Sequence, residues 1–159
     1  MKIKIVCVGK LKEKYLKEGI AEYVKRISRF ADVDIIELSD IKIPDNPSDA
    51  ECEKIKNDEG ERILSKIKKD EFVYALCVEG KQMHSEAFAQ SISSSMLRGY
   101  NTITFIIGGS LGLSDSVKKS ADVRLGFSEM TFPHQLMRLI LTEQIYRAFK
   151  INANEQYHK

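Results

Sequence analysis

Two stretches gather residues able to hold a ligand. "FIIGGSLG", Phe105 to Gly112, is an apolar run ending in three glycines within five residues, and "GFSEMTFPHQ", Gly126 to Gln135, brings aromatic, thioether and hydroxyl side chains together ahead of a proline. Glycine lets backbone amides and carbonyls approach a ligand closely. The first loop does not fit the dinucleotide spacing G-x-G-x-x-G, and no glycine is followed by Lys and then Ser or Thr, as a phosphate-cradling loop needs. Tight turns at Gly108, Gly109 and Gly112 ahead of a short helix would explain it equally well. In the second loop Phe127, Met130 and Phe132 can wall an aromatic ring, while Ser128, Thr131 and free backbone groups reach its edge. Plain core positions suit Phe127 and Phe132 as well. With no basic cluster for phosphate and no acidic residue at the ribose position, these loops suit an adenosine without a phosphate tail. S-adenosylmethionine is such a ligand.

The elements that would position these loops alternate along the chain. "KIKIVCV" reads as a strand, and Leu16, Ile20, Tyr23, Val24 and Ile27 follow at helical spacing. "VDIIELS" is a second strand. Pro44 and Pro47 interrupt regular structure, and Ser48 with Glu51 forms a capping box for a highly charged helix over residues 49–69, expected as an exposed excursion. "FVYALCV" is apolar enough for a strand buried on both faces. A turn at "EGKQ", a helix from Ser85 to Arg98 stopped by Gly99, and a strand "TITFII" precede the glycine loop. Ser114 caps a short helix, "ADVRLGF" is a fifth strand, and Pro133 opens the last helix. This predicts one α/β domain over residues 1–159, a mostly parallel sheet flanked by helices. Ligands of such sheets lie beyond the carboxyl ends of the strands, here at Leu76, Gly108 and Gly126.

In the last helix, Leu136, Met137, Leu139, Ile140, Leu141, Ile145, Tyr146 and Phe149 do not fit one stripe. Its second apolar side predicts a homodimer through this helix.

Composition bounds the function. Net charge is +2 with pI near 8.3, below the value of about 9 expected of a dedicated nucleic-acid binder. Residues 1–31 nonetheless carry nine Lys or Arg against three Glu, and residues 32–79 reverse the balance with seven against fourteen acids. The basic segment is a candidate phosphate contact, although a solvated helix face gives the same pattern. Cys7, Cys52 and Cys77 show neither C-x-x-C pairing nor a histidine at ligand spacing, which predicts reduced thiols, no metal and a reducing cytoplasm. No run approaches the roughly 20 apolar residues of a membrane span.

The run "FIIGGSLGLS", followed by "FPHQLMRLILTEQIYRAFKI" and the terminal "YHK", closely resembles the RlmH family of the SPOUT superfamily, bacterial enzymes that methylate N3 of a pseudouridine in large-subunit ribosomal RNA. The resemblance covers essentially the whole chain. It implies a C-terminal trefoil knot, which general topology rules disfavour, and a dimer formed across the last helix. It implies an S-adenosylmethionine site at Leu76, Gly108, Phe127, Ser128, Glu129, Met130, Thr131 and Phe132, with no metal.

Methylation at N3 requires removal of a proton and donors facing the flanking carbonyl oxygens. The polar residues available are His134, Arg138, Tyr157, His158 and Lys159. His158 or His134 is the expected base, with Arg138 and Lys159 steadying the anion or the RNA phosphate. Alternatively, His134 only orders the loop and Arg138 pairs with Glu143 of a partner chain. A polar C-terminus is otherwise a place for disorder, and the tail's role rests on the family resemblance. Few basic residues imply recognition by shape on an assembled ribosome. Two other readings are a non-catalytic ribosome-binding or assembly factor that retains the fold, and a flavodoxin-like enzyme on an unknotted sheet.

Overall fold

The computed structural model describes residues 1–157. Five strands alternate with five helices: β1 (Lys2–Val8), α1 (Lys14–Ile27), β2 (Asp32–Leu38), α2 (Asp49–Leu64), β3 (Phe72–Gln82), α3 (Ser85–Leu97), β4 (Thr102–Ile107), α4 (Asp115–Ser120), β5 (Val123–Gly126) and α5 (His134–Asn152). All pairings are parallel, in the order β2-β1-β4-β3-β5.

The near-continuous apolar strands are explained by helices on both faces. Successive side chains of a strand point to opposite sides, so Ile3, Ile5 and Cys7 of β1 enter one core and Val6 and Val8 the other. β3 and β4 divide likewise, with Tyr74 and Phe105 stacked at 4.8 Å on the first face and Ala75 and Ile106 on the second. Each isoleucine buried in this way contributes roughly 2 kcal/mol relative to exposure. The first face carries α1, α3 and α5, and α5 packs against both of the others. At Gly19 of α1 a Cβ would stand 3.0 Å from Leu139 Cδ1, so the absence of a side chain sets the α1–α5 approach.

Two expectations are corrected. α2 ends at Leu64, and it is not an excursion: Ile55 and Ile63 are buried, and Ile63 packs with Leu113 and Val117 on the second face. Its apolar stripe is thin because charged residues occupy the remaining sides. The Ser48–Glu51 capping box is present. Nor does "EGKQ" end β3 in a turn. The strand continues to Gln82, with a register break between Leu76 and Lys81 opposite Leu125. Such a bulge removes residues from the ladder and re-aims them, and here Cys77, Val78 and Glu79 turn toward a cavity.

Candidate functional site

A cavity of about 700 Å³ opens beyond the carboxyl ends of β3, β4 and β5, the place where open parallel sheets bind ligands. Of the expected cofactor residues, Leu76, Gly108, Phe127, Ser128, Met130, Thr131 and Phe132 line it, and Glu129 is exposed outside it. His134 and Met137 of α5 complete one wall. Lys56, Lys118 and Glu79 also line the cavity and were missed. No local motif marks them, because α2, α4 and the β3 bulge meet there only in the folded chain.

The glycine loop closes on itself. Gly112 donates its N–H to the Gly109 carbonyl at 3.0 Å and holds φ +83°, a left-handed conformation that glycine adopts freely. A Cβ at Gly108 would stand 2.9 Å from the Gly112 carbonyl carbon. Gly108 is therefore required by the loop's own closure. The second loop is held by Met130 N–H donating to Ser128 Oγ at 3.0 Å, while Met130 itself is 74% exposed.

His134, the first residue of α5, stands beside the β1–α1 loop, its Nε2 3.3 Å from where a Gly9 Cβ would lie. Burial and, after it, the charge of Arg138 push the imidazole pKa below its ordinary value. His134 is thus neutral at neutral pH and able to accept a proton.

Arg138, one turn on, is fully buried and does not line the cavity. Its guanidinium donates to Glu37 at 2.7 Å and to the Gly9 carbonyl at 3.1 Å. Glu37 also accepts the Leu11 N–H at 2.9 Å, and Gln135 accepts the Lys12 N–H at 3.0 Å. Burial alone would raise the Glu37 pKa, but the hydrogen bonds from Arg138 and Leu11 and the guanidinium charge outweigh it and hold the carboxyl below its usual range. Arg138 clamps the β1–α1 loop to the start of α5. Its partner is Glu37, whereas Glu143 pairs with Arg147 at 2.7 Å.

The C-terminal segment is anchored at Tyr157. Its hydroxyl donates to Glu143 at 3.1 Å, its ring meets Tyr146 edge-on at 4.9 Å, and Arg147 lies over it at 4.8 Å. Burial, then hydrogen bonding with Tyr23 and the Glu143 charge, raises the Tyr157 pKa. Lys150 and Arg29 both pair with Glu155. His158 and Lys159 lie outside the described residues. From His134 to Glu143, nine residues of helix at about 1.5 Å each put roughly 14 Å between the cavity and the tail's anchor.

The lining fits an adenosyl group. Leu76, Ile107, Leu125, Phe127, Phe132 and Met137 give apolar walls, and the loops present backbone groups and the Ser128 and Thr131 hydroxyls. A polyphosphate would need more cations than two lysines that each already face a carboxylate. Among the described residues no group of three or more His, Cys, Asp or Glu side chains could hold a metal ion, and no helix is long and apolar enough to cross a membrane.

A parallel sheet with a ligand cavity at three strand ends, closed by a C-terminal helix, is matched over residues 1–158 by the family model described as "Predicted SPOUT methyltransferase", and the chain belongs to that family. Over 159 residues, the full length of both chains, it is 59% identical to Ribosomal RNA large subunit methyltransferase H of Lactobacillus johnsonii. The proteins of that name from Streptococcus thermophilus and Streptococcus pneumoniae match it to the same extent. The resemblance read from the sequence is borne out.

Proposed function

We propose that this methyltransferase, acting as one domain over residues 1–159, transfers a methyl group from S-adenosylmethionine to N3 of a pseudouridine in large-subunit (23S) ribosomal RNA. The substrate is the assembled ribosome in the cytoplasm, and the enzyme is a homodimer. The relatives' names support the RNA. The observation that carries the cofactor is the three-loop cavity, apolar-walled and rich in backbone donors and acceptors, with a neutral histidine in its wall. When bound, the donor supplies a methyl group already activated by its sulfonium, so the protein's work is alignment and proton removal.

Phe127 and Phe132 flank the adenine, and the backbone around Gly108 meets its edge. His134 takes the N3 proton on an unprotonated ring nitrogen. Arg138 and Glu37 hold the loop against which His134 rests. The half-buried Leu136, Met137, Leu139 and Ile140 leave α5 an apolar side for a second copy. Pairing there brings the partner's tail, with its Tyr-His-Lys sequence, to a cavity that a chain's own tail is anchored away from. Family membership supports threading of α5 as a trefoil knot.

The test is transfer of labelled methyl from S-adenosylmethionine to ribosomes from a strain lacking this gene, with parent ribosomes as control. Label on a pseudouridine of the deficient large-subunit RNA alone is expected. No transfer despite cofactor binding would leave a binding factor or another acceptor.

A further inference from the structure

The cavity differs between its two sides. α5 lies on one face of the sheet and supplies His134 and Met137, whereas α2 and α4 lie on the other face and supply Lys56 and Lys118. Both lysines line the cavity from this second face. Gly60, one turn beyond Lys56, packs so closely on α4 that a Cβ there would overlap the Ser114 hydroxyl. Asp115 at the start of α4, after the Glu53 hydrogen bond, adds to the rise of the Lys56 pKa. Glu79, carried out of the ladder by the bulge in β3, completes the rim.

The charges on this rim are held unequally. Lys56 pairs with Glu53 at 2.5 Å, and Lys118 pairs with Glu79. The lysine side chains are only 23% and 21% exposed, while both glutamates are 56% exposed. The lysine stems pack along the wall and their carboxylate partners lean toward solvent. Half-exposed pairs of this kind hold weakly, so an incoming carboxylate can take the place of Glu79 on Lys118 at little cost. Displaced by a few ångströms, Glu79 remains on the rim and presents a negative group beside the incoming one. Among the lining residues, Lys118 with Glu79 beside it complements an ammonium and a carboxylate on adjacent atoms better than a phosphate, which Glu79 would repel, and Lys56, whose own partner Glu53 lies outside the lining, adds a second cation.

We propose that Lys56, Lys118 and Glu79 form a subsite for a free α-amino-acid group, the lysines receiving its carboxylate and Glu79 its ammonium. This rests on the methyl-donor reading above, and it gives the donor a direction. The methionine end points to the α2–α4 rim and the adenosine end to the loop from Phe127 to Pro133. It also makes the site selective for adenosyl compounds that keep their amino-acid tail.

The test is calorimetric titration of the full chain with S-adenosylhomocysteine and with 5′-methylthioadenosine, which share the nucleoside and sulfur and differ by the amino-acid group. The unaltered protein is expected to prefer S-adenosylhomocysteine by about tenfold or more, the scale of a charge-assisted pair. In Lys56→Ala/Lys118→Ala that preference should fall to within about twofold while 5′-methylthioadenosine affinity stays unchanged, which also verifies the fold. Lys118→Arg should keep most of the preference, and Glu79→Gln should lose part of it. A preference retained in the double variant overturns the subsite, as does equal weakening of both compounds. Unchanged cofactor affinity with a raised KM for ribosomes would assign the lysines to RNA phosphate instead. If the unaltered protein binds neither compound, the methyl-donor reading itself fails.

Discussion

The two ends of α5 are built differently. At its start, Gln135 and Arg138 are tied to the β1–α1 loop by hydrogen bonds that include a fully buried guanidinium, and His134 stands against that loop in the wall of the cavity. At its end, Glu143, Arg147 and Tyr157 form a half-buried cluster that secures the tail by aromatic packing and surface-accessible ion pairs. A buried, fully oriented end suits a site that must hold geometry. A looser end suits a segment that must engage something outside its own chain. One helix thus separates the cavity wall from the tail's anchor by roughly 14 Å, the separation on which the dimer proposed above, with each tail serving its partner, rests.

The strongest way to break this comparison is to remove the tail. Deleting Tyr157 to Lys159 should lower methyl transfer by about a thousandfold or more, on the scale of losing a positioned catalytic group, with cofactor affinity and dimerisation nearly unchanged. Lost cofactor binding would make the tail a lid. Mixed dimers sharpen the point. A His134→Ala chain paired with a tail-deleted chain should regain activity if each tail serves the partner's cavity, and should stay inactive if each serves its own.

His134→Gln comes next, with a loss of about a hundredfold for a general base. Because burial and Arg138 lower its pKa, the rate should rise with pH through a value below the ordinary histidine range and then level off. In the variant the rise should disappear. A pH profile unchanged by the substitution would place the proton acceptor elsewhere.

Glu37→Gln probes the clamp through stability. It leaves Arg138 buried without its carboxylate and should cost about 2 kcal/mol, reduced from the cost of a wholly buried pair because Glu37 is partly exposed. Since the folded carboxyl titrates below its unfolded value, the stabilisation is present above the ordinary carboxylate pKa and is lost as pH falls through the folded one. Acid unfolding curves of the two proteins should therefore converge at low pH. The smallest effect belongs to Glu143→Gln, which weakens the hold on Tyr157 and Arg147 and should lower kcat about threefold with no change in cofactor affinity.

Much of this comparison was legible in the sequence, and what was hidden has a physical reason. Short, near-continuous apolar runs identified the strands, and Ser48, Ser114 and Pro133 marked helix starts, because these signals are local. The β3 bulge was not legible: it depends on Leu125 pairing with both Leu76 and Lys81, a choice made by a strand more than forty residues later. Lys56, Lys118 and Glu79 stayed hidden for the same reason, since each reads as an ordinary surface charge until three elements converge. Arg138 was read as steadying the anion or the RNA phosphate, or as pairing with Glu143 of a second chain, and its actual partner was not foreseen. Glu37 sits at the end of β2, 101 residues away.

That separation bears on how the chain is made. The Arg138 bond to the Gly9 carbonyl spans 129 residues, and a ribosome delivers β1 and β2 long before the start of α5. Until Arg138 emerges, Glu37 stays solvated and the β1–α1 loop has nothing to lean on. Long-range closures of this kind are slow and come late in folding. The cavity wall is therefore among the last parts to form, and a nascent chain stalled before α5 presents an incomplete cavity to any methyl donor it meets.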